Sequence, residues 1–237
     1  MKKVLIIGFV WPEPTTTAAG TRMLQLISIF KEYGLEIHFV STAAKTTQSY
    51  NFDKDGIKTS TIELNNTSFN DFIIDFNPDI VLFDRYLTEE QFGWRVSENC
   101  PNALKILDTE DLHFLRSARE KSFRKSIELN NSLINNDIAK REIASIYRCD
   151  LTLIISIYEL ELLNTTFKID SNLLCYIPFL LEEIPKDKFA KYPSFNERID
   201  FMTIGNFKHK PNLEAVKTLK KNINKFFINH LLVLQFY

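Results

Sequence analysis

The 237-residue sequence has little of what punctuates loops or staples small domains: six glycines, eight prolines and three cysteines. Cys100, Cys149 and Cys175 are odd in number, far apart and never arranged as Cys-x-x-Cys, so neither a disulfide framework nor a zinc site is suggested, and a reducing cytoplasm fits best. No stretch approaches the roughly 20 apolar residues that span a bilayer. The start, Met1-Lys2-Lys3 before a short apolar run, superficially resembles a leader. That run contains Gly8 and ends in Pro12-Glu13-Pro14 without a convincing small-residue cleavage site, so it reads as a buried strand. Neither sign of charge dominates: the formal net charge is −1, which provides no sequence-wide basic field for nucleic acid or acidic membranes. Fixed catalytic spacings are also missing. There is no Gly-rich dinucleotide fingerprint, P-loop lysine, nucleophile elbow, His-Glu-x-x-His or Cys/His cluster, so oxidoreductase, serine hydrolase and zinc-enzyme readings lack support and no metal site is expected.

What is present is core-forming material: 45% of the residues are hydrophobic, 20 of them Phe, against 25% charged, enough for one large domain or one and a half. Val4-Leu5-Ile6-Ile7-Gly8-Phe9 is a continuous apolar run, the pattern of a parallel strand covered on both faces. Met23, Leu24, Ile27, Phe30 and Tyr33 then recur at helical spacing, with Gly34 where a helix-ending glycine belongs, before a second strand over 35–40. The alternation continues with strands over 57–64, 79–83, 104–107, 151–156 and 173–179. A helix is expected over 68–76, another opening with a capping box at Thr88-Glu89-Glu90-Gln91, and two more within 112–147 separated near Asn130-Asn131. This predicts a doubly wound parallel α/β sheet with right-handed crossovers. The stretch 181–198 has no sustained period and reads as a connection. Beyond it, a strand over 200–205 and a helix from Pro211-Asn212 open a further unit. The expected domains are 1–197 and 198–237.

Ligands of open α/β sheets bind beyond the carboxyl ends of the strands, so the loops after strands carry the chemistry. The first holds the small residues Ala18-Ala19-Gly20-Thr21-Arg22, where helix-start amides could cradle a phosphate or sugar oxygen and Arg22 adds charge. An ordinary strand-to-helix connection would look the same. The second is Asp84-Arg85-Tyr86, able to recognise an oxyanion or to form a structural ion pair. The third, Asp108-Thr109-Glu110-Asp111-Leu112-His113 with Arg116, packs three carboxylates, an imidazole and a guanidinium just after a strand. Such groups shift one another's pKa and can serve as acid, base or electrostatic stabiliser. His38 and His230 read as structural, whereas His113 shares its loop with carboxylates and reads as a cleft residue.

These loops, together with Arg141-Glu142 before Cys149-Asp150 and Gly205-Asn206-Phe207-x-His209-x-Pro211-Asn212, resemble bacterial GT-B glycosyltransferases of family 4 over about the first 220 residues. The resemblance implies two Rossmann-like domains around a cleft. The first, largely holding the acceptor, is the one present here. It also implies that Ala19, Gly20 and Arg22 lie near the donor diphosphate, and that Asp111 takes the place of a cleft histidine with His113 two residues on. On it rest Asp111 and His113 as catalytic candidates and Ala19, Gly20, Thr21, Arg22, Asp84, Arg85, Asp108, Glu110 and Arg116 as substrate-binding candidates. No cofactor is expected beyond a nucleotide-sugar donor. The implied partners are that donor, a glycan acceptor and a second chain supplying the missing half. The implied location is the cytoplasm or the inner face of the membrane.

The family's second domain carries a basic pair for the diphosphate and a Glu-x7-Glu element, and neither occurs after Ile223. A truncated or split enzyme, inactive alone, is therefore expected, with an apolar tail over 226–237 prone to self-association. The competing expectation is a non-catalytic binding or partner subunit.

Overall fold

Apolar runs set the strands, and helices of opposite faces cover them. In a computed structural model describing residues 1–126, 128–129, 133, 136–181, 183–199, 202–207 and 210–226, seven strands form one sheet: β1 (Lys3–Gly8), β2 (Glu36–Ser41), β3 (Lys58–Thr61), β4 (Ile80–Asp84), β5 (Leu104–Asp108), β6 (Leu151–Ile154) and β7 (Leu174–Tyr176). Their order is β3-β2-β1-β4-β5-β6-β7 and every pairing is parallel. This is the expected doubly wound sheet. The chain falls into two compact units, Met1–Leu181 and Glu182–Tyr237, the second beginning within the stretch read as a connection.

Side chains alternate across a strand, so β1 feeds both layers. Leu5 and Ile7 join a core with Val81, Phe83, Phe92 and Val96, while Val4 and Ile6 join another with Leu82, Met23, Leu26 and Ile27. Helix α1 (Ala18–Glu32) therefore covers one face of the sheet and α3 (Arg85–Asn99) the other, where α2 (Ser68–Phe76) also packs. After β5 come α4 (His113–Lys125) and α5 (Asp137–Arg148), and after β6 comes α6 (Ile157–Thr165). Helix α1 ends as its sequence predicts. Gly34 adopts φ +69°, and the amides of Gly34 and Leu35 reach back to the carbonyls of Lys31 and Phe30.

Several expectations need correction. The capping box at Thr88 is absent, because α3 begins three residues earlier, at Arg85. The Thr88 hydroxyl instead donates to the carbonyls of Asp84 and Arg85 from within the helix. Strand β3 is shorter than 57–64, its flanking Ile57 and Ile62 being buried as loop residues. In the second unit, α7 (Lys186–Phe189) and α8 (Lys210–Phe226) form, but 202–205, the described part of the strand expected over 200–205, carries no strand. Asn130-Asn131, Lys208, His209 and the tail 227–237 lie outside the described residues.

Candidate functional site

The strand order reverses between β1 and β4, whose following segments leave on opposite faces of the sheet, and such a point opens a crevice at the carboxyl edge. A cavity of about 210 Å³ lies there. The loop after β1 supplies Val10, Trp11, Pro12 and Glu13, and the start of α1 supplies Thr17, Ala19, Gly20 and Met23. Ala43, Ala44, Thr46 and Ser49 come from the loop after β2, and Asp84 and Arg85 from the end of β4.

Close backbone approach explains the small residues. A Cβ at Gly20 would stand 2.5 Å from the backbone nitrogen and 2.7 Å from the carbonyl oxygen of Glu13, so only glycine lets the loop close onto the first turn of α1. The Thr17 hydroxyl accepts from the Gly20 amide at 3.0 Å, leaving the Ala18 and Ala19 amides as helix-start donors without an intrahelical acceptor. Thr21 donates to the Pro14 carbonyl at 3.1 Å and so folds the same loop. The opposite wall is tied on by Trp11 Nε1, which donates to the Ala43 carbonyl at 2.7 Å, and by the Thr46 hydroxyl, which donates to Glu13. Hydrogen bonds from Thr46 and Thr16 hold the Glu13 carboxyl below its ordinary pKa, as an anion on the cavity rim.

Behind the cavity three carboxyls crowd together. Asp84 and Asp108 end neighbouring strands in register, and Glu110 follows two residues on. Arg22 does not line the cavity. Only 1% exposed, it places Nη2 3.0 Å from Oδ1 of the fully buried Asp108 and donates through Nη1 to the carbonyls of Ile177 and Pro178. Its donors thus lock α1 to β5 and to the segment after β7. Asp84 Oδ2 accepts from the Phe9 amide at 3.0 Å, and Arg85 Nε stands 3.6 Å from Oδ1. Burial raises all three carboxyls. It takes Glu110 up to about 9, reinforced by Asp108 and Asp84 and opposed by Arg85 and Arg22. At about 9, Glu110 keeps its proton at neutral pH, while Asp108 faces Arg22 and Asp84 accepts from the Phe9 amide. Arg85 links this cluster to the cavity, with its guanidinium over the Phe9 ring and its backbone in the left-handed region at φ +72°. A non-glycine residue held there stores strain, a feature concentrated at functional sites.

The remaining predicted residues stand at the start of α4. Asp111 takes a two-pronged hydrogen bond from Arg116 Nη1 at 2.9 and 2.8 Å, with His113 Nε2 3.6 Å from Oδ1. Burial, with Arg116 and Arg85 nearby, lowers His113 to about 4 against the pull of Asp111, so the imidazole is neutral at pH 7. Here the helix-start amides are already occupied. Glu142, fully buried on α5, accepts from the amides of His113 and Phe114 at 3.1 and 2.9 Å, and Glu159 accepts from Leu112 at 3.1 Å. Burial lifts Glu142 to about 8 against the lowering effect of those two amides.

Ala19, Gly20, Asp84 and Arg85 therefore share one cavity, while Arg22, Asp108 and Glu110 form its buried support. Asp111, His113 and Arg116 make a separate surface cluster at the same sheet edge. Sequence reasoning passed over Thr46 and Ser49, although the rule that ligands bind after strands also applied to the loop following β2. It treated Glu142 only as part of a motif, since a carboxylate facing a distant helix start has no local signature. Among the described residues no cluster of His, Cys, Asp and Glu has the geometry to hold a metal, and no helix is long and apolar enough to cross a membrane.

A parallel sheet of this order with a cavity at its reversal point defines a Rossmann-like α/β protein, and its structural neighbours make the fold GT-B-like. The chain is similar to sucrose-phosphate synthase from Thermosynechococcus elongatus, with a TM-score of 0.52 at 13% identity, covering 75% of this chain and 48% of that one. It is also similar to the apo form of the lipopolysaccharide outer core galactosyltransferase WaaB, with a TM-score of 0.50 at 14% identity, covering 77% and 47%. At such identities the likeness is one of fold, and this chain spans about half the length of each. No protein-family model matches the sequence, and no curated protein matches it significantly.

Proposed function

We propose that the chain forms the acceptor-side part of a glycosyltransferase of the family 4 type, which transfers a sugar from a nucleotide sugar to a glycan or cell-surface acceptor. The observation that carries this reading is the cavity at the strand-order reversal, where the Gly20 turn, the α1 amides and Arg85 converge in a GT-B-like fold. In the proposed enzyme Ala19, Gly20 and Thr21 shape the wall, Arg85 and Asp84 meet the ligand, and Arg22, Asp108 and Glu110 position them. Asp111 and His113 are the catalytic candidates. A neutral imidazole can accept a proton from an acceptor hydroxyl, and Arg116 fixes the carboxylate beside it. The donor half belongs to a second domain, begun over 198–237 or supplied by another chain, in the cytoplasm or at the inner face of the membrane. These 237 residues alone do not transfer sugar in this reading, because one wall of a cleft lacks the preorganised charge that a diphosphate requires.

Calorimetric titration with several nucleotide sugars tests this, first on the chain alone and then with a supplied second domain. No binding alone and transfer on reconstitution are expected, and micromolar binding by the chain alone would overturn the half-enzyme reading. In the reconstituted enzyme, Asp111→Ala and His113→Ala should each lower turnover by about 10²-fold or more while the unfolding midpoint barely moves. Undiminished turnover would make this loop structural. A non-catalytic partner subunit is favoured by one observation: Arg22 is paired with Asp108, and Arg116 with Asp111, within the chain itself. Sugar transfer once a donor-binding domain is supplied argues against that alternative.

A further inference from the structure

We infer that Glu142 and Glu159 are positioning residues for His113, holding the amides of Leu112, His113 and Phe114 so that the imidazole stands fixed beside Asp111. The inference rests on the reading of His113 as a proton acceptor, and it names the groups that aim that acceptor.

The three amides stand at the start of α4, where no carbonyl inside the helix can accept them. The usual remedy is local: a Ser, Thr, Asp or Asn at the cap accepts through its own side chain. Here the cap is Leu112, whose side chain is packed in the core and offers no acceptor. The acceptors come instead from distant helices. Glu142 on α5 takes His113 through one oxygen at 3.1 Å and Phe114 through the other at 2.9 Å, and Glu159 on α6 takes Leu112 at 3.1 Å.

Stability alone is a poor reason for this arrangement. Glu142 is fully buried and Glu159 nearly so, and the second oxygen of Glu159 has no hydrogen-bond partner. Burial raises both carboxyls although the amides pull them down, so the fold bears a desolvation cost that a one-residue cap avoids. What the two carboxyls secure is a fixed backbone. The turn before them is constrained as well: Glu110 lies in the left-handed region at φ +61°, the Asp111 amide donates back to the Thr109 carbonyl at 2.8 Å, and the Thr109 hydroxyl donates to the Leu153 carbonyl at 3.1 Å. The chain from Thr109 to Phe114 is thereby held at almost every residue. From it the half-buried imidazole meets Asp111 and Arg116 of its own segment, and Arg85 and Tyr86 of α3, the Tyr86 ring standing edge-on at 5.5 Å. Arg141 of α5 lies over that same Tyr86 ring. Burial beside Arg116 and Arg85 keeps the imidazole neutral, and this setting depends on where the backbone puts the ring.

Proton NMR titration of the imidazoles in the full chain tests this, with His113→Asn assigning the resonance. In Glu142→Ala the loosened ring moves toward water, so His113 should titrate at about 5 or above, toward its ordinary 6.5, instead of at about 4. Glu142→Gln keeps one carbonyl oxygen and should leave His113 close to its original value. Glu159→Ala frees only Leu112 and should move His113 the same way by less, and it carries the test if Glu142→Ala does not fold. In the reconstituted enzyme, Glu142→Ala should lower kcat about tenfold with KM little changed, and Glu142→Gln should recover most of the loss. A His113 that still titrates at about 4 in the folded alanine variants makes both carboxyls ordinary helix caps and overturns the inference. So does an unaltered kcat in an enzyme that transfers sugar. Displaced His113 titration in the variants, with no transfer by the reconstituted wild type, sinks the enzyme reading while the positioning of His113 stands.

Discussion

Two helices begin at the same edge of this sheet and use their starts in opposite ways. Helix α1 is capped by one threonine hydroxyl and fronts a cavity, whereas α4 has three of its leading amides filled by the buried carboxyls of Glu142 and Glu159. The sequence around α4 is dense with ionisable groups, and that around α1 has mostly small residues. Density of charge is therefore a poor guide to where open space lies. Opposite charges close together tend to satisfy one another, as Arg116 does Asp111, and only a stretch too small to fill its own space leaves room.

The largest test of this contrast is Arg22→Ala. It leaves Asp108 buried without its cation, and loss of one partner of a buried pair costs about 3–5 kcal/mol. Urea unfolding should show this, and adding Asp108→Asn should recover much of it. A loss near zero would mean that α1 is not held from below. Glu142→Ala should cost about 2 kcal/mol by uncapping His113 and Phe114, while ligand binding in the α1 cavity stays unchanged. Weakened binding would show that the two helix starts are not independent.

The pH response separates the regions further. Glu110 and Glu142 have folded pKa values of about 9 and about 8, raised from 4.5. Their contribution to stability is full below pH 4.5 and is lost as pH rises toward those values. His113, lowered from 6.5 to about 4, acts in the other sense, contributing fully above 6.5 and losing that as pH falls through 4. Unfolding free energies measured from pH 5 to 9 should therefore fall on the alkaline side. Glu110→Gln should flatten that fall and gain about 2 kcal/mol at pH 8. An unchanged slope would place the proton elsewhere. The smallest effect is expected for Thr17→Ala, about 1 kcal/mol for a lost helix cap, but this variant, unlike Glu142→Ala, should also weaken ligand binding in the cavity.

Much of the fold was legible because it depends on local periodicity. The apolar run of β1, the 3.6-residue spacing of α1 and the glycine that ends it each signal their structure within a few residues. Where several local signals competed, tertiary packing chose between them. The capping-box pattern at Thr88 lost to a helix start at Arg85, because Asp84 ends a strand in register with Asp108 and the chain must turn there. The sequence by itself determined the alternation of strands and helices, the parallel sheet, and which loops reach its carboxyl edge. Only the tertiary structure decided that Arg22 is spent beneath the floor on Asp108, that Glu142 closes α4, and that the loop after β2 completes the cavity. Those facts rest on pairings between residues tens of positions apart, and whether a charge meets water, a ligand or an opposite charge is fixed by the packing that brings them together.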